Sequence, residues 1–230
     1  MTRSQLSDAI ASRISLLRQQ LPESVRLIAV TKQVSVDAMR SAYAAGIRDF
    51  GESRVQEAEA KQSQLQDLPD ITWHLIGHLQ TNKAKKALEH FQWIHSLDSL
   101  KLAQQLDNLA GSLSKQPQVC LQVKLLPDPN KHGWTVSELL ADLAVLDRCQ
   151  HIQIVGLMTI PPLNLDEEEI LAFFQSTREL AEKIQQQNWS RIQMQHLSMG
   201  MSDDYHLAVQ AGATMIRLGT TLFGEREKEC

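Results

Sequence analysis

LIAVTKQVSVDAM, residues Leu27 to Met39, reads as one β-strand handing over to one helix. Leu27, Ile28, Ala29 and Val30 form a continuous apolar run of the kind found in strands covered on both faces. Lys32 closes that run, Ser35 is a helix-capping residue, and the helical pattern that follows stops at Gly46. An ammonium group has no place inside a strand, because burying it without a partner costs several kcal/mol. Either Lys32 has simply reached solvent, or the strand opens onto a site that uses an amine.

The same unit recurs along the chain. Candidate strands are VRLIAVTK (25–32), IRDFGE (47–52), TWHLIG (72–77), WIHSL (93–97), VCLQVKL (119–125), IQIVGLMTI (152–160), QMQHLS (193–198) and TMIRLGT (214–220). Helical patterns lie between them, over 35–46, 53–66, 98–113 and 166–187 among others, with Ser35, Asp98 and Asp166 as caps and Gly46 and Gly212 as stops. A further amphipathic helix, with Leu6, Ile10, Ile14 and Leu17 at helical spacing, precedes the first strand. Eight strand–helix alternations predict a (β/α)8 TIM barrel with an extra N-terminal helix. An open doubly wound sheet uses the same alternation, but no Gly-x-Gly-x-x-Gly follows the first strand.

Composition narrows the function. The chain has 230 residues, a formal net charge of -4, 43% hydrophobic and 22% charged residues. That charge gives no footprint for nucleic acid or an acidic membrane, and no run approaches the roughly 20 apolar residues of a membrane helix. There is no signal-peptide core, and Cys120, Cys149 and Cys230 have neither metal spacing nor an even disulfide count. A cytoplasmic protein is expected, with residues 1–230 as one domain, since no low-complexity linker divides the chain.

A barrel collects its functional residues at the C-terminal ends of its strands. Lys32, Glu52, His74 with Gly77, GLMT (156–159), Ser198 with Met199 and Gly200, and RLGTT (217–221) all fall there. The last two loops commonly cradle a phosphate in this fold, and glycine with neighbouring hydroxyls suits an anion. A lysine across the mouth from a phosphate site is the arrangement of a Schiff base with a phosphorylated aldehyde, of which pyridoxal phosphate (PLP) is the commonest. Arg217, on the same strand face as Gly219, then either meets the pyridine nitrogen or pairs with Glu52 or Asp49.

These residues sit in motifs that resemble the pyridoxal phosphate homeostasis proteins, the YggS/PROSC group. The motifs are IAVTK at Lys32, FGESRVQE from Phe50, WHLIGHLQTNK from Trp73, GLMTIPP from Gly156 and HLSMGMSDDYHLAVQAGATMIRLGTTLFGER from His196. The resemblance runs from Leu27 to Arg226 and implies a single barrel similar to the barrel domain of alanine racemases. It implies PLP held as an aldimine on Lys32, the phosphate held by Ser198, Gly219 and Thr220, Arg217 facing the ring nitrogen, and Met199 and Gly200 shaping the phosphate loop. The chain departs from the family in having Ser53 where Asn is usual and His132 where a small residue is usual; Lys131 is given no role.

Other features read as structure. His74 and His78 are four apart, but a strand end does not bring two such rings together, no third ligand is visible, and no metal is expected. Lys83, Lys85 and Lys86 mark a solvated helix face. Asp166 to Glu169 suit a helix start, and Ile170, Phe173, Phe174, Leu180 and Ile184 its core stripe. Cys120 and Cys149 are expected to be buried, inert thiols.

Binding PLP is not catalysis, which needs acid–base groups on both faces of the bound cofactor. The chain ends soon after RLGTTLFGERE, only Tyr43 and Tyr205 supply phenols, and an arginine opposite the ring nitrogen weakens the electron sink. The expected function is therefore a non-catalytic PLP-binding protein of cofactor homeostasis and amino-acid/oxo-acid balance. It is read as a monomer that meets PLP-dependent apo-enzymes transiently, with no nucleic-acid or membrane partner. The alternatives are a slow racemase-like enzyme whose missing base comes from a dimer partner, and a Schiff-base aldolase, which Arg217 does not suit.

Overall fold

The computed structural model describes residues 3–224, so Cys230 and the end of the last motif, Glu225 and Arg226, lie outside the described residues. Among the described residues nine strands occur in chain order: β1 (Arg26–Val30), β2 (Asp49–Glu52), β3 (Thr72–Leu75), β4 (Trp93–Leu97), β5 (Gln118–Lys124), β6 (Trp134–Thr135), β7 (Gln153–Met158), β8 (Ile192–Ser198) and β9 (Met215–Leu218). Every pairing is parallel. Strand β1 lies between β2 and β9, and the β4–β5 pairing closes the sheet. Closure removes the open doubly wound alternative. All eight expected strands form the barrel, and the two-residue β6 is an addition at the C-terminal end of β5, where Val123 pairs with Trp134.

The α-helices of the described residues are α1 (Arg3–Gln20), α2 (Val36–Ala44), α3 (Val55–Gln62), α4 (Ala84–His90), α5 (Leu100–Leu113), α6 (Val136–Leu146), α7 (Glu167–Gln185), α8 (Tyr205–Gln210) and α9 (Thr220–Phe223). Alternation along each strand splits the core in two. Ile28, Trp93, Cys120, Val155, Met158 and Met215 fill the barrel, while a larger layer including Ala29, Phe50, Leu75, Ile94, Leu121 and Phe174 packs between barrel and helices. The expected stripe of α7 faces that layer, and Ile10, Ile14 and Leu17 of α1 bury against it.

Local chemistry sets the helix starts. Ser35 accepts from the Ala38 amide at 3.3 Å, and Asp166 forms a capping box with Glu169. Asp98 is not the cap expected for α5: Ser99 accepts from the Leu102 amide, and the Asp98 carboxylate binds His78 instead. The ladder shifts register between Ile154 and Gly156. A Cβ on Gly156 would stand 1.9 Å from the His196 carbonyl oxygen, so only glycine lets β7 approach β8 there.

Candidate functional site

The turn after β1 carries Lys32, but not at a strand end or in seclusion. Strand β1 stops at Val30, and Lys32 is exposed in a tight turn whose next residue, Gln33, has φ 59°. A non-glycine residue in that left-handed region persists only where its surroundings fix it. Here they do. The Thr31 amide donates to Gly51 O at 2.9 Å, its hydroxyl to Glu52 Oε1 at 2.6 Å, and its carbonyl accepts from Lys61 Nζ at 2.6 Å. The Gln33 amide donates to Glu57 Oε1 at 2.6 Å. Lys61 ties the clamp together by reaching Glu52 at 2.8 Å and Glu57 at 2.7 Å.

Glu52 therefore turns outward to α3 rather than into the mouth. Burial raises its pKa, with the Lys61 bond the first influence opposing that rise. The FGESRVQE motif thus supports the Lys32 turn, a role not foreseen from the sequence. The Glu57–Lys61 spacing of one helical turn was its available signal.

The loops after β8 and β9 do not lie across the mouth from Lys32 as expected: β9 is the parallel neighbour of β1, β8 follows it in the sheet, and their two loops are stitched together. The Arg217 amide donates to Gly200 O at 3.0 Å, and the Thr221 amide to Ser202 Oγ at 3.4 Å. Gly200 has φ 93°, and a Cβ there would stand 2.6 Å from Ala208 Cβ. Asp204 Oδ1 accepts from the Met201 amide at 2.6 Å and closes this turn. Met199, Gly200 and Gly219 are buried and Thr220 is exposed. The first amides of a helical turn have no acceptor within it, and α9 begins at Thr220. Ser202, whose hydroxyl lies in this cup, was missed although SMGMS contains it.

Arg217 lies inside, only 4% exposed. Burial pushes its pKa down to about 10, with Asp204 the first opposing charge. Its NH1 donates to Ser198 Oγ at 2.7 Å and its NH2 to Thr159 O at 3.0 Å. Among the described residues no carboxylate bonds it, so neither Glu52 nor Asp49 is its partner. Ser198, expected as a phosphate-binding hydroxyl, is fully buried, with its oxygen between Arg217 NH1 and His95 Nδ1, the latter at 2.8 Å.

His74 and His78 part company. His74 is buried in the barrel between Asp49 and His95. His78 is exposed and stacks on His132, ring centroids 3.7 Å apart. Its Nδ1 lies 2.9 Å from Asp98 Oδ2, and ligand atoms of His78, Asp98 and His132 lie within 4.8 Å of one another, so further candidate ligands exist that the sequence did not show. Tyr43 is spent elsewhere: its hydroxyl bonds Asp70 and its ring carries Arg48. Burial pushes the Cys120 thiol up to about 12 and the Cys149 thiol up to about 11, as inert thiols require.

Residues 6–227 match the family model described as alanine racemase, N-terminal domain. A protein of Synechocystis sp. named pyridoxal phosphate homeostasis protein is 53% identical over 206 residues, covering 90% of this chain and 94% of its own. The chain belongs to the pyridoxal phosphate homeostasis protein family. PipY of Synechococcus elongatus, solved with PLP bound, superposes with TM-score 0.90 at 56% identity, covering 94% of this chain and 100% of PipY; without PLP the values are 0.91 and 58% over the same shares. Alanine racemase of Clostridium difficile shares the fold alone, at TM-score 0.78 and 15% identity over 96% of this chain and 58% of the racemase. No described helix of this family member is long and apolar enough to cross a membrane.

Proposed function

We propose that this chain is a non-catalytic PLP-binding protein that serves intracellular homeostasis of the cofactor and, through it, amino-acid and oxo-acid balance. One observation carries the reading: the buried Arg217 guanidinium, bonded to Ser198 and Thr159 but, among the described residues, to no carboxylate, beside a cup of glycine and hydroxyl residues. A buried cation with spare N–H donors fits a ligand that brings acceptors. The cup, with Gly200 where no Cβ fits and Ser202 beside the start of α9, suits an anion. The names of the relatives and the PLP-bound PipY support the same ligand.

PLP supplies, when bound, an aldehyde for a covalent link, a phosphate and an aromatic ring nitrogen. Lys32 offers the amine, from a turn held rigid by Thr31, Glu52, Glu57 and Lys61. Gly219, Thr220 and Ser202 take the phosphate, with Met199 and Gly200 shaping the loop. Arg217 donates toward the ring nitrogen, and Ser198 orients Arg217 from below. A permanent cation beside that nitrogen disfavours its protonation, and Tyr43 is engaged on the outside of the barrel. A missing general acid or base loses a factor of about 10²–10⁴ in rate.

The same reading takes residues 1–230 as one PLP-binding domain, a monomer in the cytoplasm, meeting PLP-dependent apo-enzymes transiently. The test is to incubate the loaded protein with amino acids in heavy water and follow α-proton exchange. Negligible exchange is expected. Exchange on the order of 1 s⁻¹ or faster, the range of ordinary enzymes, overturns the non-catalytic reading in favour of a racemase-like enzyme.

A further inference from the structure

Arg217 is one end of a hydrogen-bonded line that crosses the barrel. Its NH1 meets Ser198 Oγ at 2.7 Å, Ser198 Oγ meets His95 Nδ1 at 2.8 Å, His95 Nε2 meets His74 Nδ1 at 2.9 Å, and His74 Nε2 meets Asp49 Oδ1 at 2.9 Å. The five residues come from β9, β8, β4, β3 and β2, so the line cuts from one side of the barrel to the other. His74, His95 and Ser198 are fully buried, whereas the Asp49 side chain is 22% exposed beside Arg26 NH1 at 3.7 Å.

The chemistry of the ends dictates every proton between them. A guanidinium only donates and a carboxylate only accepts. His74 must carry its proton on Nε2 to bond Asp49. Burial lowers the pKa of both imidazoles, so each is neutral and carries one proton. The His74 Nδ1 is then bare and accepts from His95 Nε2–H. The His95 Nδ1 is bare in turn and accepts the Ser198 hydroxyl proton, leaving the Ser198 lone pairs for Arg217. All four bonds run the same way, from Arg217 toward Asp49, and each polarises the next.

We propose that Asp49, His74 and His95 are positioning residues that act through Ser198 to hold the Arg217 guanidinium and so set how it meets the cofactor's ring nitrogen. The line explains how a buried arginine keeps its place with no carboxylate bonded to it among the described residues: the countercharge it reaches is Asp49, relayed through three neutral groups. It also makes the ring nitrogen sensitive to a residue at the far end of the barrel. This rests on the proposed function in one respect, that Arg217 faces the ring of PLP.

Nitrogen-15 NMR tests it in two stages. In the protein without PLP, labelled histidine should show His74 and His95 as neutral Nε2–H tautomers at neutral pH. A proton on Nδ1 of either ring overturns the line whatever the cofactor does. In protein loaded with PLP labelled at the ring nitrogen, Asp49→Asn and Ser198→Ala should each shift that resonance in the same direction. Ser198→Thr, which keeps the hydroxyl, should restore it. Ser198→Ala should also weaken PLP binding on the order of ten-fold, the scale of one hydrogen bond to a charged group.

Arg217→Met separates the two ways of failing. If it leaves the ring resonance unmoved, Arg217 does not face the ring, and the proposed placement fails together with this inference. If it moves the resonance while Asp49→Asn and Ser198→Ala do not, the placement stands and the relay is refuted.

Discussion

Lys61→Met should destabilise the protein more than almost any other single change near the Lys32 turn, and by an amount that depends on pH. The Lys61 side chain is 9% exposed and that of Glu52 is 0% exposed. Among the described residues Glu52 Oε2 has no hydrogen-bond partner, so the lysine is the cation that makes a buried carboxylate tolerable. Removing one partner of a buried pair costs about 3–5 kcal/mol, a large share of the roughly 5–15 kcal/mol that holds a domain folded. The substitution also strips the Thr31 carbonyl of its donor.

Losing Lys61 removes the strongest influence that lowers the Glu52 pKa, so the folded-state pKa, already raised by burial, rises further above its unfolded value. An acid with a raised folded pKa contributes fully below the unfolded pKa and loses stability as pH rises through the folded one. The deficit of the variant should therefore be smallest at acid pH, where Glu52 is protonated in both states, and grow as pH rises above the ordinary carboxylate range. Urea unfolding at several pH values, analysed by linear extrapolation, measures it. Adding Glu52→Gln should recover much of the loss, because no buried charge remains. A deficit below about 1 kcal/mol at neutral pH, or one that does not change with pH, refutes the argument.

Three further outcomes follow from single contacts. Gly200→Ala meets both a positive φ and Ala208 Cβ at 2.6 Å, so it should cost about 1–3 kcal/mol in unfolding experiments and weaken PLP binding. Pyridoxal lacking the phosphate should bind at least ten-fold more weakly than PLP in a spectrophotometric titration, since charge-assisted bonds contribute about 1.5–3 kcal/mol each. Cys120 and Cys149, with thiols at about 12 and about 11, should resist alkylation in the native protein and react once urea unfolds it, as mass spectrometry of the labelled peptides would show.

The barrel was legible because parallel strands covered on both faces must be apolar throughout, and eight such runs separated by capped helical patterns leave few other architectures. Boundaries were less so. Leu27 to Lys32 reads as one strand, yet pairing with β2 ends at Val30 and the Thr31–Gln33 turn is set by Glu52, Glu57 and Lys61, contacts that cross between elements. Asp98 and Ser99 are both good caps, and only the fold reveals that His78 has claimed the first.

In the site, Arg217 and the loops after β8 and β9 were visible as strand-end residues, whereas the pairing of β9 with β1, which sets them beside the Lys32 turn, was not. The face of Glu52 was recoverable from alternation with Gly51, whereas the place of Ser198 beneath Arg217 was not, because the bond from His95 spans 103 residues. Nor does the sequence show which serine of SMGMS reaches the start of α9, because the positive φ of Gly200 sets the direction of the chain there. The turn at Gly200 brings Ser202 beside the start of α9, where its hydroxyl accepts from the Thr221 amide.

The central claim is that Lys32 carries the cofactor. Borohydride reduction of the protein loaded with PLP, followed by proteolysis and peptide mapping by mass spectrometry, tests it most directly. A single stable pyridoxyl modification on Lys32, absent from Lys32→Ala, is the predicted result. Modification of Lys61, Lys131 or another lysine in its place, or none at all on a protein saturated with PLP, would contradict the account.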